Sequence, residues 1–231
     1  MTGTATGHDD ELLSGLNPEQ AAAVVHGTGP LLVLAGAGSG KTRVITHRIA
    51  WLIKHHGIAP WQILAVTFSN KAAGEMRHRV QELLGDAATD LWLGTFHSIG
   101  VRLLRRIGQH AGLERSFTIY DRDDQLRMIK RTMKALNISD KAFRPRAMAS
   151  YIDRAKNSCL LAGDPRLEQR DIQERTAARV YERYETDMRT ANAVDFGDLL
   201  MRPVQILTEE PVLREQYAHR FKHILVDEFQ D

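Results

Sequence analysis

Ala35-Gly36-Ala37-Gly38-Ser39-Gly40-Lys41-Thr42 is the stretch on which the fold assignment turns. It joins an apolar run, Leu31–Ala35 (LLVLA), to a segment from Lys41 to about His56. In that segment Val44, Ile45, Arg48, Ile49 and Leu52 recur at spacings of three and four. The pattern predicts a buried strand, a glycine-rich turn and a helix. A triphosphate needs several N–H donors aimed inward, and glycines supply them because no Cβ blocks the approach. The helix adds its unpaired N-terminal amides and positive dipole end. Gly36, Ala37, Gly38, Ser39 and Gly40 are therefore expected to form the cradle. Lys41 is expected to reach the β and γ phosphates, and the Thr42 hydroxyl to bind Mg²⁺. The strict motif has Gly where this chain has Ala35. With either residue allowed there, average composition gives a chance match in roughly 1–2% of chains of this length. A dinucleotide fingerprint fails, because G-x-G-x-x-G would put Lys41 or Arg43 at its last glycine.

Working outward, Ile63–Thr67 (ILAVT) and Ile224–Val226 (ILV) read as further buried strands, and Asn70–Leu84 and His97 to about His110 as helices. Buried strands alternating with helices predict a parallel α/β sheet covered on both faces. The last strand runs into Asp227-Glu228. Adjacent acids at a strand end suit metal-assisted phosphoryl transfer: Asp227 to bind Mg²⁺, Glu228 to polarise the attacking water. The expectation is geometric. The loop ending at Thr42 and the acids at 227–228 should converge on one magnesium–triphosphate despite the long excursion between them.

That excursion has its own texture. From about Ile107 to Arg189 the chain is helical, Arg-rich and nearly strand-free, apart from a possible short strand at Phe117–Tyr120. Within Asp121–Lys134, Leu126, Ile129 and Met133 fall on one side of a helix, and Arg127, Lys130, Arg131 and Lys134 on another. Residues 121–190 hold 16 Lys/Arg against 12 Asp/Glu. This surplus fits either a solvated surface or a helical insertion whose basic face meets phosphate.

Composition bounds the remaining possibilities. The chain has 231 residues, 43% hydrophobic and 26% charged, with 31 Lys+Arg against 29 Asp+Glu. That is a globular composition with enough apolar mass for a core, and disorder and coiled-coil arrays are excluded. A single cysteine, Cys159, excludes an internal disulfide framework and a Cys-based zinc cluster. No apolar run approaches a membrane span, and the start, MTGTATGHDDELL, has neither the basic nor the apolar part of a signal peptide. The expected location is the cytoplasm, with residues 1–10 a frayed leader.

With these pieces in place, the sequence resembles the superfamily 1 DNA helicases of the UvrD/PcrA/Rep type, in order, over essentially the whole chain after residue 12. Leu16-Asn17-Pro18-Glu19-Gln20-Ala21-Ala22-Ala23-Val24 looks like that family's adenine-sensing Q motif. The resemblance implies that Gln20 hydrogen-bonds the adenine edge, while Pro18 also suits an ordinary helix start. AGAGSGKTR matches the family's phosphate loop, Ala35 included, and puts Arg43 near the base. Thr67-Phe68-Ser69-Asn70-Lys71-Ala72-Ala73-Gly74-Glu75-Met76 resembles motif Ia, with Ser69 where the family more often has Thr. Phe68 would either stack on a base or serve as a core residue, and Ser69 and Asn70 would bond the backbone of single-stranded DNA. Gly94-Thr95-Phe96-His97-Ser98 resembles motif Ib, in which Thr95, His97 and Ser98 either hold a phosphate or cap a helix. Ala193-Val194-Asp195-Phe196-Gly197-Asp198-Leu199-Leu200 resembles the segment where the chain returns to the first domain, with Phe196 either a base-contacting aromatic or a buried one. DEFQD looks like motif II.

The resemblance implies a RecA-like P-loop parallel sheet, subdomain 1A, over residues 1–106 and 192–231, with a mainly helical subdomain 1B inserted at 107–191. It implies ATP and Mg²⁺ as ligands, single-stranded and 3′-tailed duplex DNA as partners, and 3′→5′ polarity. It also implies a strand carrying motif III between the phosphate-loop strand and the Asp-Glu strand, and a second motor domain. Neither lies within the sequence, so the chain is expected to be an N-terminal portion, at best a weak binder of ATP and single strands by itself. Two other readings share Lys41, Thr42 and Asp227: a P-loop switch acting on a protein, and a hydrolysis-deficient binding fragment. Phe68, Asn70, His97 and Phe196 on one surface would separate the motor from the switch.

Overall fold

The computed structural model describes residues 11–36, 38–167 and 169–230, so the leader expected at residues 1–10 lies outside it. Along the chain the elements are α1 (Pro18–Val25), α2 (Lys41–His56), β1 (Ile63–Thr67), α3 (Asn70–Leu84), β2 (Trp92–Thr95), α4 (Phe96–Ile107) and β3 (Thr118–Ile119). They continue with α5 (Arg122–Ala135), α6 (Pro145–Asn157), α7 (Ile172–Thr190), β4 (Ala193–Val194), α8 (Asp198–Glu209), α9 (Pro211–Arg220) and β5 (His223–Val226). These form two compact units, residues 1–99 with 215–231 and residues 100–214.

The first unit is built on a three-stranded parallel sheet of order β2-β1-β5. Thr67 of β1 pairs with Thr95 of β2, and Val66 pairs with Val226 of β5. β1 is buried throughout most of its length, as a central parallel strand must be, and Ile63, Ala65, Met76, Val80 and Ile49 pack together across the sheet and the helices α2 and α3. Helix starts follow local chemistry. Asn17 and Gln20 form a reciprocal capping box on α1, and the Ser69 hydroxyl accepts the Ala72 N–H at the start of α3.

The strand expected at Leu31–Ala35 is not formed. The segment has no regular structure, and its side chains lie open, Leu34 to 87%. A strand exists only through a ladder, and among the described residues the sheet's three members leave this segment unpaired. Likewise β5 sits at the sheet edge with Ile224 60% exposed, in place of the buried strand expected at 224–226. β2, four residues long, gives no periodic signal and escapes the sequence reading.

The second unit is mainly helical. Ile129, Met133, Met148, Ile152, Val180 and Tyr181 of α5, α6 and α7 form its core, and β3 pairs in parallel with β4. α8 belongs to this unit by contact. Ile129 and Met133 are buried while Arg127, Lys130, Arg131 and Lys134 are exposed, so α5 has the two faces its spacing predicts. Ile129→Ala should cost about 2–5 kcal/mol by urea denaturation, whereas Lys130→Ala should stay within about 0.5 kcal/mol.

Candidate nucleotide and nucleic-acid site

The glycine-rich loop expected to hold phosphate opens α2 through two left-handed glycines, Gly38 at φ 76° and Gly40 at φ 87°. No side chain caps this helix, so its first amides remain available. The loop is closed upon itself. Lys41 Nζ donates to the carbonyls of Ala35 and Gly36, both at 3.1 Å, and Ser39 Oγ donates to Gly36 at 2.7 Å. Thr42 is half-buried at the second position of α2, and Arg43 is exposed with its guanidinium close over Gly15. Ala37 lies outside the described residues.

Gln20 belongs to the same corner. Its amide oxygen accepts the Asn17 N–H at 3.0 Å, and its Nε2 donates to the Ser39 carbonyl at 2.8 Å. A Cβ on residue 40 would meet that Nε2 at 2.7 Å. The glutamine thus latches α1 onto the loop, which gives position 20 a physical reason for its residue. Arg48 ties the other end of α1 to α2 by donating to the carbonyls of Ala23, Val24 and His26.

Asp227 follows β5 and is buried. Its N–H continues the ladder by donating to the Val66 carbonyl at 2.9 Å, and its Oδ2 accepts the Thr67 hydroxyl at 3.4 Å. Burial pushes the Asp227 carboxyl above its ordinary range, and the Glu228 charge pushes the same way. The Thr67 hydroxyl, the Glu228 amide and the Lys41 ammonium pull it back. Of these influences the Lys41 charge is the smallest. Glu228 holds a left-handed φ of 55° and accepts from the Gln230 amide. Thr67 was not singled out from sequence. A β-branched residue ending a strand reads as a strand former, and only the β1–β5 pairing reveals its partner.

The remaining candidates sit at the ends of neighbouring strands. Phe68, just after β1, is 66% exposed, and Phe96, just after β2, is 41% exposed. Because Thr67 and Thr95 are paired, these two aromatics occupy equivalent places. Phe96 was also missed, since its relation to Phe68 comes only from register. Ser69 and Asn70 begin α3, with the Ser69 hydroxyl in its cap. Thr95 is buried, its Oγ1 accepts the Ser98 N–H at 3.2 Å, and His97 lies in the first turn of α4. Phe196 is in the second unit, 54% exposed. Among the described residues no three His, Cys, Asp or Glu gather as a metal cluster, and no helix is long and apolar enough to cross a membrane.

Comparison with known proteins adds a family. The UvrD/REP helicase N-terminal domain matches residues 16–231. The chain is 45% identical over 220 residues to ATP-dependent DNA helicase PcrA of Staphylococcus aureus, covering 95% of this chain and 30% of that protein. It is 48% identical over 225 residues to DNA helicase II of Haemophilus influenzae, covering 96% of this chain and 31% of that protein. The chain thus spans about 30% of the length of the curated relatives it matches.

A buried carboxylate held above its usual range costs the fold stability wherever it is charged. The native carboxyl binds its proton more tightly than the unfolded one, so this cost grows as pH rises from 3.8 through the raised value. Asp227→Asn keeps an acceptor for Thr67 and removes the charge. It should raise the urea midpoint of the magnesium-free protein at about pH 7, with the gain shrinking toward about pH 4. An unchanged or lower midpoint at neutral pH would contradict this account.

Proposed function

This chain belongs to the UvrD/REP helicase N-terminal domain family, and from that premise we propose that it is the ATP- and single-strand-binding portion of an ATP-dependent DNA helicase. The observation that supports the reading is the buried Asp227 carboxylate at the end of β5, beside Glu228 and held by Thr67, in a chain whose glycine-rich loop opens α2 with uncapped amides. Residues 1–106 and 192–231 would constitute RecA-like subdomain 1A, and 107–191 the inserted 1B. The helicase would translocate 3′→5′ and unwind 3′-tailed duplexes, and with DNA as substrate it would act in the cytoplasm.

The residues fit a magnesium–triphosphate. Mg²⁺ takes one or two protein oxygens together with substrate phosphates, and Thr42 and Asp227 provide a hydroxyl and a carboxylate of that kind. When bound, the ion neutralises charge developing between the β and γ phosphates. Lys41 would exchange the carbonyls of Ala35 and Gly36 for phosphate oxygens, a stronger charge-assisted contact. The amides from Gly36 to Thr42 would cradle the phosphates, and Gln20 and Arg43 would face the base. Glu228 is the group to orient and deprotonate the attacking water.

Within the first unit Phe68 and Phe96 offer two stacking faces at adjoining strand ends; Phe196, exposed in the second unit, would contact a base separately. Ser69, Asn70, Thr95 and His97 would line the phosphate backbone beside them. Exposed aromatics at this edge favour a nucleic-acid partner over a protein-directed switch. The Thr67 hydroxyl touches Asp227 while the next residue is Phe68, so a change at the metal ligand has a one-residue path to the strand-binding turn.

In the full-length protein, Lys41→Ala should abolish ATP hydrolysis and leave nucleotide-free DNA binding within about twofold. Joint loss of both would point to misfolding. Glu228→Gln should retain ATP but slow turnover by about 10²–10⁴; near-normal turnover would remove Glu228 from the role of base. Affinity for single strands should fall with salt at a log–log slope of about −0.7 per phosphate contacted, and a flat response would contradict a phosphate track.

A further inference from the structure

The second unit contains a buried ionic centre that the nucleotide chemistry does not use. Lys156 of α6 has no exposed side-chain surface, and its Nζ lies 2.9 Å from Glu185 Oε1, 2.8 Å from Asp195 Oδ2 and 2.8 Å from Asp198 Oδ1. Arg202 of α8 pairs with Glu185 and, at 3.3 Å, with Asp198. The Tyr184 hydroxyl donates to Asp195 Oδ2 at 2.9 Å. Burial alone would push the Lys156 ammonium down, but the three carboxylates outweigh it and carry it upward, so the lysine stays charged.

These contacts converge on one short turn. Asp195 N–H donates to Asp198 Oδ2 at 3.1 Å, and Asp198 N–H donates back to Asp195 Oδ1 at 2.9 Å. The second oxygen of each carboxylate points at Lys156, so the turn is locked from inside. Gly197 rests on the lysine stem, where a Cβ would come within 3.0 Å of both Cβ and Cδ of Lys156. The residue between Asp195 and Gly197 is Phe196. Asp195 before it and Asp198 two residues after it are pinned to the buried ammonium, and Gly197 rests on the stem, while Phe196 itself is 54% exposed.

We infer that Lys156 is a positioning residue for single-strand binding: by clamping Asp195, Gly197 and Asp198 it holds the Phe196 ring in the conformation that stacks on a base. The inference rests on the proposed role of Phe196 in DNA binding. A mobile aromatic must lose its freedom on binding, whereas one fixed beforehand has already lost it. Lys156 itself has no route to a phosphate, because its charge is enclosed by protein.

The test is a double-mutant cycle on the full-length protein, read by equilibrium binding of fluorescent oligo-dT without nucleotide. Lys156→Met removes the clamp. Because an uncompensated buried cluster can prevent folding, Tyr184→Phe serves as the mild second variant, deleting one hydroxyl from Asp195. Phe196→Ala should weaken binding roughly 5- to 100-fold, the range of a lost stacking contact. Lys156→Met should weaken it by about 3- to 10-fold and Tyr184→Phe by about twofold when Phe196 is present, and neither should matter when residue 196 is alanine. The salt slope should be unchanged in both, since no phosphate contact is lost; a slope reduced by about 0.7 would make Lys156 a phosphate ligand and overturn the inference. Equal losses in both backgrounds would overturn it alone, and if Lys156→Met does not fold, Tyr184→Phe decides. Phe196→Ala with unchanged affinity would overturn the role of Phe196 itself, and this inference with it.

Discussion

β1 is paired in parallel on both sides, and the candidate site depends on that single constraint. Parallel strands end on the same edge, so register alone brings Thr95, Thr67 and Asp227 side by side, although long stretches of chain separate them. The Asp227 N–H bond to Val66 carries the ladder one residue past β5 and fixes where the carboxylate emerges. Carboxyl ends of parallel strands are where α/β proteins bind ligands, because helix N-termini and loops open there together. α3 and α4 begin at that edge, after Phe68-Ser69 and Thr95 respectively.

Two features of the site run against stability and for chemistry. Asp227 is a carboxylate in a buried place beside another acid, which a fold would avoid without a reason. The glycine-rich loop keeps Lys41 on its own backbone carbonyls, neutral partners weaker than a charged oxygen would be. Thr67 and Gln20 support these two groups from behind. One engages the acid, the other holds the loop through Ser39, and both use hydrogen bonds that need distant segments in place.

The second unit solves a different problem. Its apolar core is supplied by three helices, but the turn at 195–198 is secured by ions. Three carboxylates and two cations in one enclosed centre are expensive unless each is paired, and here every charge has an opposite partner. Such an arrangement tolerates few alternatives, so it specifies one conformation of the turn more sharply than apolar packing would.

Much was legible from sequence because it is local. The bounds of α2 and α3 are set by Gly40, Gly57, Ser69 and Gly85, residues whose backbone preference or side chain acts within one turn. The two faces of α5 belong to the same class, since periodicity needs no distant partner. Leu31–Ala35 reads as a strand by composition and is none, because a strand is decided by the ladder beside it. Thr67, Phe96 and Lys156 carry no role legible from sequence for the same reason. A threonine, a phenylalanine and a lysine have no distinctive meaning in one dimension, and theirs came from register and burial. Local chemistry is carried by neighbours along the chain; convergence of charges and strand ends is carried by packing, and only the tertiary structure decided it.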